Sequence, residues 1–238
     1  RSDAMKHDLI ATCTFGLEAV LKRELVSLGY GDLTVQDGRV TFTADETGIA
    51  RANIFLRPAD RIYHTLSEFA AHDFAQLFDG VKKINWGEII PVNGIMHVSG
   101  RSKKSKLSSV PACQSVAKRA IVEKMKLSHG VDRFPENGTR FPIEAILEKN
   151  RAVITLDTSG AALHKRGYRL HAGDAPIKET LAAGLVLLSR WRPDMPLIDP
   201  FCGAGTILIE AAMMGRRVAP GLPRSFHAAA WPQVSSRL

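Results

Sequence analysis

The chain has 238 residues, of which 45% are hydrophobic and 24% are charged. This composition is typical of globular proteins and excludes disordered, collagenous and coiled-coil proteins, and the length favours at least two domains. No stretch reaches the about 18 consecutive apolar residues of a membrane-spanning helix, and the first residues lack the apolar region of a signal peptide. We therefore expect a cytoplasmic protein.

The cysteines and histidines do not form a pattern that binds metal. Cys13, Cys113 and Cys202 lie far apart, with no C-x-x-C pair, and the histidines are scattered. Zinc sites and redox centres usually place their ligands or thiols at short, regular spacings. We expect three reduced, buried cysteines and no bound metal.

Residues 5–70 follow the order of elements of a ferredoxin-like domain. The sequence predicts a strand over 8–14, a helix over 15–28, strands over 33–36 and 39–43, a helix over 45–56 and a strand over 61–69. Asp37-Gly38 predicts a two-residue hairpin turn, because this dipeptide tolerates positive φ angles. The order β-α-β-β-α-β is typical of a split βαβ, or ferredoxin-like, α+β domain.

Residues 71–160 predict a second α+β domain. The predicted elements are a helix over 74–84, a strand over 94–100, a helix over 111–127 and strands over 140–148 and 151–158. The Lys149-Asn150 dipeptide between the last two strands indicates a hairpin. In the long helix, one arc is apolar and is expected to pack against the sheet; it holds Cys113, Val116, Ala117, Ala120, Ile121 and Leu127.

The net charge of +8 is concentrated in this second domain, since the segment from Arg101 to Lys126 has eight basic residues and one acid. The run Arg101-Ser-Lys-Lys-Ser-Lys106 predicts a loop of cations and small hydroxyl residues. A solvated helix face with a mobile loop is one interpretation. We favour a nucleic-acid-binding surface, because small residues let phosphates approach and each neutralised phosphate releases counterions.

The last part of the chain predicts the start of a doubly wound α/β domain. The predicted elements before the Gly203-Ala204-Gly205 turn are a helix from Ala175 to Arg190 and a buried strand at Leu197-Ile198. A helix over Thr206–Met214 follows the turn. Such a turn brings peptide N–H groups and the positive end of a helix close to a ligand. Leu208 replaces the third glycine of the dinucleotide fingerprint, which counts against NAD and FAD. A tight structural turn would also explain the two glycines alone.

The full string Asp-Pro-Phe-Cys-Gly-Ala-Gly-Thr at residues 199–206 is more specific. It resembles motif I of Rossmann-like methyltransferases that use S-adenosylmethionine, in the version found in RNA guanine-N2 methyltransferases with a THUMP domain. Residues 163–169 and 175–179 resemble the segment that enters the methylase domain of that family. Over nearly its whole length the chain is similar to bacterial ribosomal RNA large-subunit methyltransferases of THUMP type, often labelled N6-adenine-specific DNA methylases.

The resemblance implies a ferredoxin-like domain over residues 5–70, a THUMP domain over 71–160 that binds structured RNA, and a Rossmann-like methyltransferase domain over 161–238. It also implies an S-adenosylmethionine pocket bordered by Asp199, Phe201, Gly203, Ala204, Gly205 and Thr206, with Pro176, Lys178 and Glu179 closing it. Packing is the alternative role of Phe201 and Pro176. Cys202 is expected to be a small core residue rather than a nucleophile.

We expect a set of cations to contact RNA phosphates. The set comprises Arg101, Lys103, Lys104, Lys106, Lys118, Arg119, Lys165, Arg166 and Arg169. The last three could instead form a charged hinge between domains.

The chain also departs from the family. In the family, an Asn or Asp followed by Pro-Pro and an aromatic residue positions the target amine, and an acid on the second strand holds the ribose. Residues 213–238 contain neither that motif nor any acid. We therefore expect an incomplete methyltransferase domain, with the catalytic residues beyond Leu238 and no catalysis by this chain alone.

For the parent enzyme the resemblance implies methyl transfer to an exocyclic amine, guanine N2, of folded ribosomal RNA. Two alternatives remain open. The chain could be an RNA-binding module without catalysis, or the parent could be an N6-adenine DNA methyltransferase that shares the cofactor loop and differs in substrate.

Overall fold

The computed structural model of the chain describes residues 6–169 and 176–235, except for two side chains in the last helix. These residues form two compact units. The first contains residues 6–62, 158–169 and 176–229, and the second contains residues 63–157 and 230–235. Within the described part of the chain, no helix is long and apolar enough to span a membrane.

The first unit begins with the six elements that the sequence predicts. They are β1 (His7–Cys13), α1 (Glu18–Ser27), β2 (Thr34–Gln36), β3 (Arg39–Ala44), α2 (Glu46–Phe55) and β4 (Ala59–Ala70), whose later residues belong to the second unit. The strands follow the order β2-β3-β1-β4, and β1 and β2 both pair antiparallel with β3. The predicted ferredoxin-like order of elements is confirmed.

Local sequence signals position these elements. Asp45 caps α2, because its carboxylate accepts a hydrogen bond of 2.7 Å from the N–H of Gly48. At the hairpin turn only Gly38, with φ at 71°, takes the positive φ expected of Asp37-Gly38. Leu21 of α1 and Ile49 of α2 are almost fully buried and belong to the core under the sheet.

The rest of the first unit consists of α6 (Glu179–Leu188), α7 (Thr206–Gly215), a short 3-10 helix (His227–Ala230) and the segments between them. The α6 helix packs closely against the start of α1, since a Cβ atom at Gly184 would overlap the side chain of Leu17. The ferredoxin-like elements and this C-terminal part therefore share one packed unit.

The buried strand predicted at Leu197-Ile198 is wrong. This segment has no regular secondary structure, and Ile198 is 84% exposed. A strand needs a neighbour for its backbone hydrogen bonds, and none of the described strands pairs with this segment. The predicted helix start at Ala175 lies outside the described residues.

The second unit contains α3 (Phe74–Lys82), α4 (Trp86–Ile89), β5 (Ile95–Lys103), α5 (Val110–His129), β6 (Arg140–Glu148), β7 (Arg151–Asp157) and α8 (Pro232–Ser235). The strands follow the order β4-β7-β6-β5, with β5 parallel to β6 and β7 antiparallel to both of its neighbours. Lys149 and Asn150, with φ of 49° and 61°, form the predicted two-residue turn between β6 and β7.

Two details of this unit differ from the sequence analysis. The predicted cationic loop begins later, because β5 continues through Lys103 and only the residues after it leave the strand. Leu127 is 75% exposed, whereas Met125 is buried with Cys113, Ala117 and Ile121 on the inner face of α5. The end of α5 packs against α4 through other residues, since a Cβ atom at Gly87 would overlap the side chain of Ser128, so periodicity alone misplaced Leu127.

Candidate functional site

The glycine turn before α7 forms an exposed loop of backbone. Gly203 and Gly205 take positive φ angles of 51° and 70°, which L-residues with side chains rarely adopt. Gly205 is the N-cap residue of α7, and no side chain caps the helix. The first N–H groups of a helix have no intrahelical partner, so this loop and helix end are suited to donate hydrogen bonds to acceptor atoms of a ligand.

The other residues predicted to border a cofactor have different environments. Asp199 is half-buried and accepts a hydrogen bond of 3.2 Å from the N–H of Phe201, which keeps the turn compact. The Phe201 side chain is 93% exposed, so the alternative of packing is excluded among the described residues. Ala204 and Lys178 are exposed and Pro176 is half-buried. The structure therefore leaves this set open to solvent.

Arg169 connects the start of α6 to the start of α7. One of its Nη atoms donates to the backbone oxygen of Ile177 at 3.1 Å and to Oγ1 of Thr206 at 2.8 Å, and it lies 3.4 Å from Oε1 of Glu179. Thr206 and Glu179 are almost fully buried. Arg169 was predicted to contact RNA, but its guanidinium group binds protein atoms instead.

Arg166 was also predicted to contact phosphate, and this prediction is wrong because Arg166 is only 2% exposed. Its guanidinium group donates to the backbone oxygens of Leu163 at 2.8 Å and Arg57 at 2.5 Å, and its Nε lies 3.6 Å from the fully buried Glu210 carboxylate. The hydroxyl of Tyr168 donates to the same carboxylate at 2.9 Å. Lys165, by contrast, is exposed.

This buried ionic cluster also includes Glu24 of α1. Glu24 accepts a hydrogen bond of 2.8 Å from the N–H of Arg57, whose Nε lies 3.9 Å from the carboxylate. Burial raises the pKa of Glu24 to about 7, an effect that Arg57 only partly offsets. Burial also raises the pKa of Glu210, although Arg166 and the Tyr168 hydroxyl oppose it. The cluster links the ferredoxin-like elements to the segment before α6.

Replacing Glu24 with glutamine should flatten the pH dependence of stability. The ordinary pKa is 4.5 and the folded-state pKa is about 7, so folding takes up a proton between these values. The contribution of Glu24 is therefore complete below pH 4.5 and is lost as the pH rises through about 7. Urea unfolding from about pH 5 to 8 should show a shallower fall for Glu24→Gln than for wild type. The exposed Glu136→Gln is the control, and equal slopes in wild type and Glu24→Gln would contradict the interpretation.

The predicted phosphate contacts of the second unit lie on its exposed surface. Lys103, Lys104 and Lys106 are exposed, and the turn residue Asn150 fixes their backbone. Its Oδ1 accepts from the N–H of Lys106 at 2.8 Å and its N–H donates to Oγ of Ser105 at 3.0 Å. The loop is therefore a defined turn with lysine side chains in solvent, rather than the mobile loop of the first interpretation.

Two of the remaining cations of this surface have a protein group nearby. Lys118 and Arg119 are both exposed, and the Arg119 guanidinium lies 4.9 Å from the centre of the Phe78 ring. Arg101 is 3.6 Å from the Glu144 carboxylate and its side chain is 54% exposed. Ion pairs at such exposure are weak and exchange readily with other anions.

The cysteines follow the prediction only in part. Cys13 and Cys113 are buried, and burial raises the pKa of Cys13 to about 12, so its thiol remains protonated. Cys202 is exposed in the glycine turn, and the prediction of a small core residue is wrong. Cys202 is exposed like Ile198, because none of the described strands pairs with this segment.

Sequence analysis missed Glu210, Tyr168, Arg57 and Glu24. One signal was present: Glu210 is the only charged residue of α7, and an acid within an apolar helix indicates a buried partner. The partners themselves come from distant segments, and no spacing rule connects them.

Comparison with protein families identifies the modules. An RlmL ferredoxin-like domain matches residues 8–63, a THUMP domain matches residues 71–157, and an RMKL-like methyltransferase domain matches residues 166–237. The chain carries RlmL ferredoxin-like, THUMP and RMKL-like methyltransferase domains. The glycine turn and the Arg169 contacts lie in the methyltransferase domain, and the lysine turn lies in the THUMP domain.

Relatives of the chain are longer than the chain itself. It is 50% identical over 235 residues to "Putative RNA methyltransferase YpsC" of Bacillus subtilis, covering 98% of this chain and 61% of that protein. A structure from Listeria monocytogenes, described as a "predicted N6-adenine-specific DNA methylase", has 45% identity and a TM-score of 0.93, covering 97% of this chain and 60% of the other.

A third relative was solved with a ligand. SMU.472, described as "a putative methyltransferase complexed with SAH", has 43% identity and a TM-score of 0.91, covering 97% of this chain and 63% of the other. The three domains of this chain thus occur together in longer relatives whose descriptions agree on methyl transfer.

Proposed function

We propose that the chain is part of an S-adenosylmethionine-dependent RNA methyltransferase. The observation that supports this proposal most is the exposed turn of Gly203 and Gly205 before the uncapped N-terminus of α7. The chain is also 43% identical to SMU.472, which is described as a putative methyltransferase complexed with SAH. Peptide N–H groups that no side chain covers can donate hydrogen bonds to a nucleoside that carries an amino-acid group, such as S-adenosylmethionine.

The residues present fit this cofactor. Gly203, Ala204 and Gly205 offer backbone without obstruction, since a Cβ at Gly205 would meet no atom of the described residues within 4 Å beyond the adjoining backbone. Asp199 and Phe201 flank the turn, with Phe201 exposed and available for contact with an adenine or ribose. When bound, the cofactor supplies an activated methyl group on a sulfonium. The role of this chain is to hold and orient that group.

We propose RNA, and structured ribosomal RNA in particular, as the substrate. Support comes from the THUMP domain, from the exposed lysine turn and from the description of the Bacillus subtilis relative. Recognition of folded RNA relies on shape and phosphate contacts, and a rigid turn with three lysines provides such contacts. The proposed target atom is an exocyclic amine, guanine N2, reached by extruding the base from its stack.

We further propose that these 238 residues hold the cofactor loop without the group that positions the target amine. The sequence contains no Pro-Pro dipeptide, so the Asn- or Asp-Pro-Pro motif that the family resemblance implies is not among them. The chain spans 60% to 63% of the three relatives. We also propose domain boundaries near residues 70 and 160, which the ranges of the three family matches support.

Binding of S-adenosylhomocysteine tests the cofactor assignment directly. Isothermal titration calorimetry on the chain should detect one site per molecule. A chain that is folded by circular dichroism and shows no heat of binding would refute the proposal for these residues. Labelled S-adenosylmethionine with ribosomal RNA should give no incorporation by this chain alone, and incorporation would contradict the proposed lack of the amine-positioning group.

Neutralising the lysine turn should weaken RNA binding and its salt dependence. Changing Lys103, Lys104 and Lys106 together to glutamine removes phosphate contacts, and each lost contact reduces the slope of log affinity against log salt by up to about 1. The control neutralises Lys22, Arg23 and Arg51, which are also exposed and lie in the ferredoxin-like domain. Filter binding of structured RNA over a salt series measures both slopes.

The outcomes also separate the alternatives. Equal slopes for the lysine variant and the control would show that the turn does not contact RNA. Preference for duplex DNA over structured RNA at matched salt would favour the DNA methyltransferase alternative, which the description of the Listeria monocytogenes relative also raises.

A further inference from the structure

Two consecutive residues hold α7 in place at two positions one helical turn apart. Arg169 donates to Oγ1 of Thr206, the first residue of α7, and Tyr168 donates to the carboxylate of Glu210. Residues four apart lie on the same face of a helix. The segment that carries Tyr168 and Arg169 therefore runs along one face of α7 and fixes both its position and its rotation about its axis.

The contact at Thr206 is closest to the glycine turn. Thr206 directly follows Gly205, whose N–H donates to the backbone oxygen of Cys202 at 2.7 Å, while the N–H of Ile209 donates to the backbone oxygen of Gly205 at 2.9 Å. A shift of Thr206 would move both of these hydrogen bonds. The geometry of the turn therefore depends on where Thr206 is held.

Arg169 also holds the start of α6. The same guanidinium group binds the backbone oxygen of Ile177 and pairs with Glu179, whose side chain is 5% exposed. Because a buried carboxylate without a cation is costly, Glu179 fixes Arg169 in this position. The planar guanidinium can serve several acceptors at once, whereas a lysine ammonium has no such fixed fork.

We propose that Arg169 is a positioning residue of the cofactor loop. It acts through Thr206 and Glu179 to set the distance between the start of α6 and the glycine turn before α7, without contacting RNA. The inference rests on the proposed function only in naming the ligand that the turn binds. Its first readout, the rigidity of the turn, does not require a ligand.

Hydrogen–deuterium exchange in the free chain measures this rigidity. In Arg169→Ala, the amides of Gly205 and Ile209 should exchange about tenfold faster, which corresponds to a loss of about 1.4 kcal/mol of local stabilisation. Arg169→Lys should give an intermediate rate. Arg192→Ala is the control, because Arg192 is exposed in the same unit and its ion pair, at 3.2 Å, is with the exposed Asp194. The amide of Ile49 in α2 reports on the rest of the unit.

The second readout is affinity for S-adenosylhomocysteine by calorimetry. Arg169→Ala should weaken binding at least about tenfold, whereas Arg192→Ala should leave it unchanged. Thr206→Val removes one acceptor of Arg169 without leaving a buried carboxylate unpaired, so it serves if Arg169→Ala does not fold. It should show the same local increase in exchange.

Each outcome decides one question. Unchanged exchange at Gly205 and Ile209 in Arg169→Ala or Thr206→Val overturns the inference. Equal acceleration at Ile49 also overturns it, because the residue would then stabilise the whole unit. Absence of ligand binding by the wild-type chain would refute the proposed function, while the exchange rates would still decide the role of Arg169.

Discussion

Replacing Arg166 with alanine is expected to lower the free energy of unfolding by about 3–5 kcal/mol, the usual cost of breaking a buried ion pair. Arg166 is 2% exposed and lies 3.6 Å from the fully buried carboxylate of Glu210. Without the guanidinium group, Glu210 keeps the hydrogen bond from Tyr168 but loses the positive charge of Arg166, and the backbone oxygens of Leu163 and Arg57 lose a donor. Urea unfolding followed by circular dichroism measures the change.

The exposed neighbour Lys165 provides the control for Arg166. Lys165→Ala should change stability by less than about 0.5 kcal/mol, as surface substitutions usually do. A double variant, Arg166→Met with Glu210→Leu, should recover part of the loss, because it leaves neither charge of the pair buried alone. The recovery is not complete, since the Tyr168 hydroxyl and the backbone oxygens of Leu163 and Arg57 also lose a partner. A loss below about 1 kcal/mol in Arg166→Ala would mean that the cluster contributes little to the fold.

Replacing Gly205 with valine is expected to weaken S-adenosylhomocysteine binding at least about a hundredfold. The backbone strain of a β-branched residue at this φ and the valine side chain in the space for the ligand both disfavour binding. Gly205 has φ at 70° and ψ at 16°, where a β-branched residue is strained. Apart from the adjoining backbone, no atom of the described residues lies within 4 Å of the position of its Cβ, so a ligand can occupy this space and a valine would fill it. Calorimetry gives the affinity.

Gly130 is a matched control for this substitution. It has a similar backbone conformation, with φ at 66° and ψ at 28°, it also has open space around the Cβ position, and it ends α5 in the second unit. Gly130→Val should therefore carry comparable backbone strain without affecting the turn. If both variants lose affinity equally, or Gly205→Val loses none, the turn does not hold the cofactor.

The buried arginines and the glycine turn are connected through α7. Arg166 and Arg57 join the ferredoxin-like elements to Glu210 on α7, and Arg169 holds the first residue of the same helix. A helix fixed at its start and one turn later presents the glycine turn in a single geometry. This supports a scaffold in which the ferredoxin-like domain contributes to the rigidity of the proposed cofactor loop.

Hydrophobic periodicity and turn chemistry were sufficient for most elements. The ferredoxin-like order and the Lys149-Asn150 hairpin follow from local patterns, because a strand or helix with one buried face repeats its apolar residues at a fixed spacing. The pattern failed at Leu197-Ile198, where none of the described strands pairs with the segment and Ile198 is exposed. It also misplaced Leu127, which is exposed near the end of α5.

The sequence by itself determined the order of elements in the first two domains and the glycine turn, because strand and helix periods and backbone preferences of glycine are local properties. The types of the second and third domains came from the resemblance of their motifs to a known family. Only the tertiary structure decided the roles of the arginines. Arg166 and Arg169 lie in a basic segment that is typical of phosphate binding, yet they bind carboxylates and backbone oxygens of distant residues. A side-chain charge has no preferred partner until folding brings one within hydrogen-bonding distance and removes water from between them.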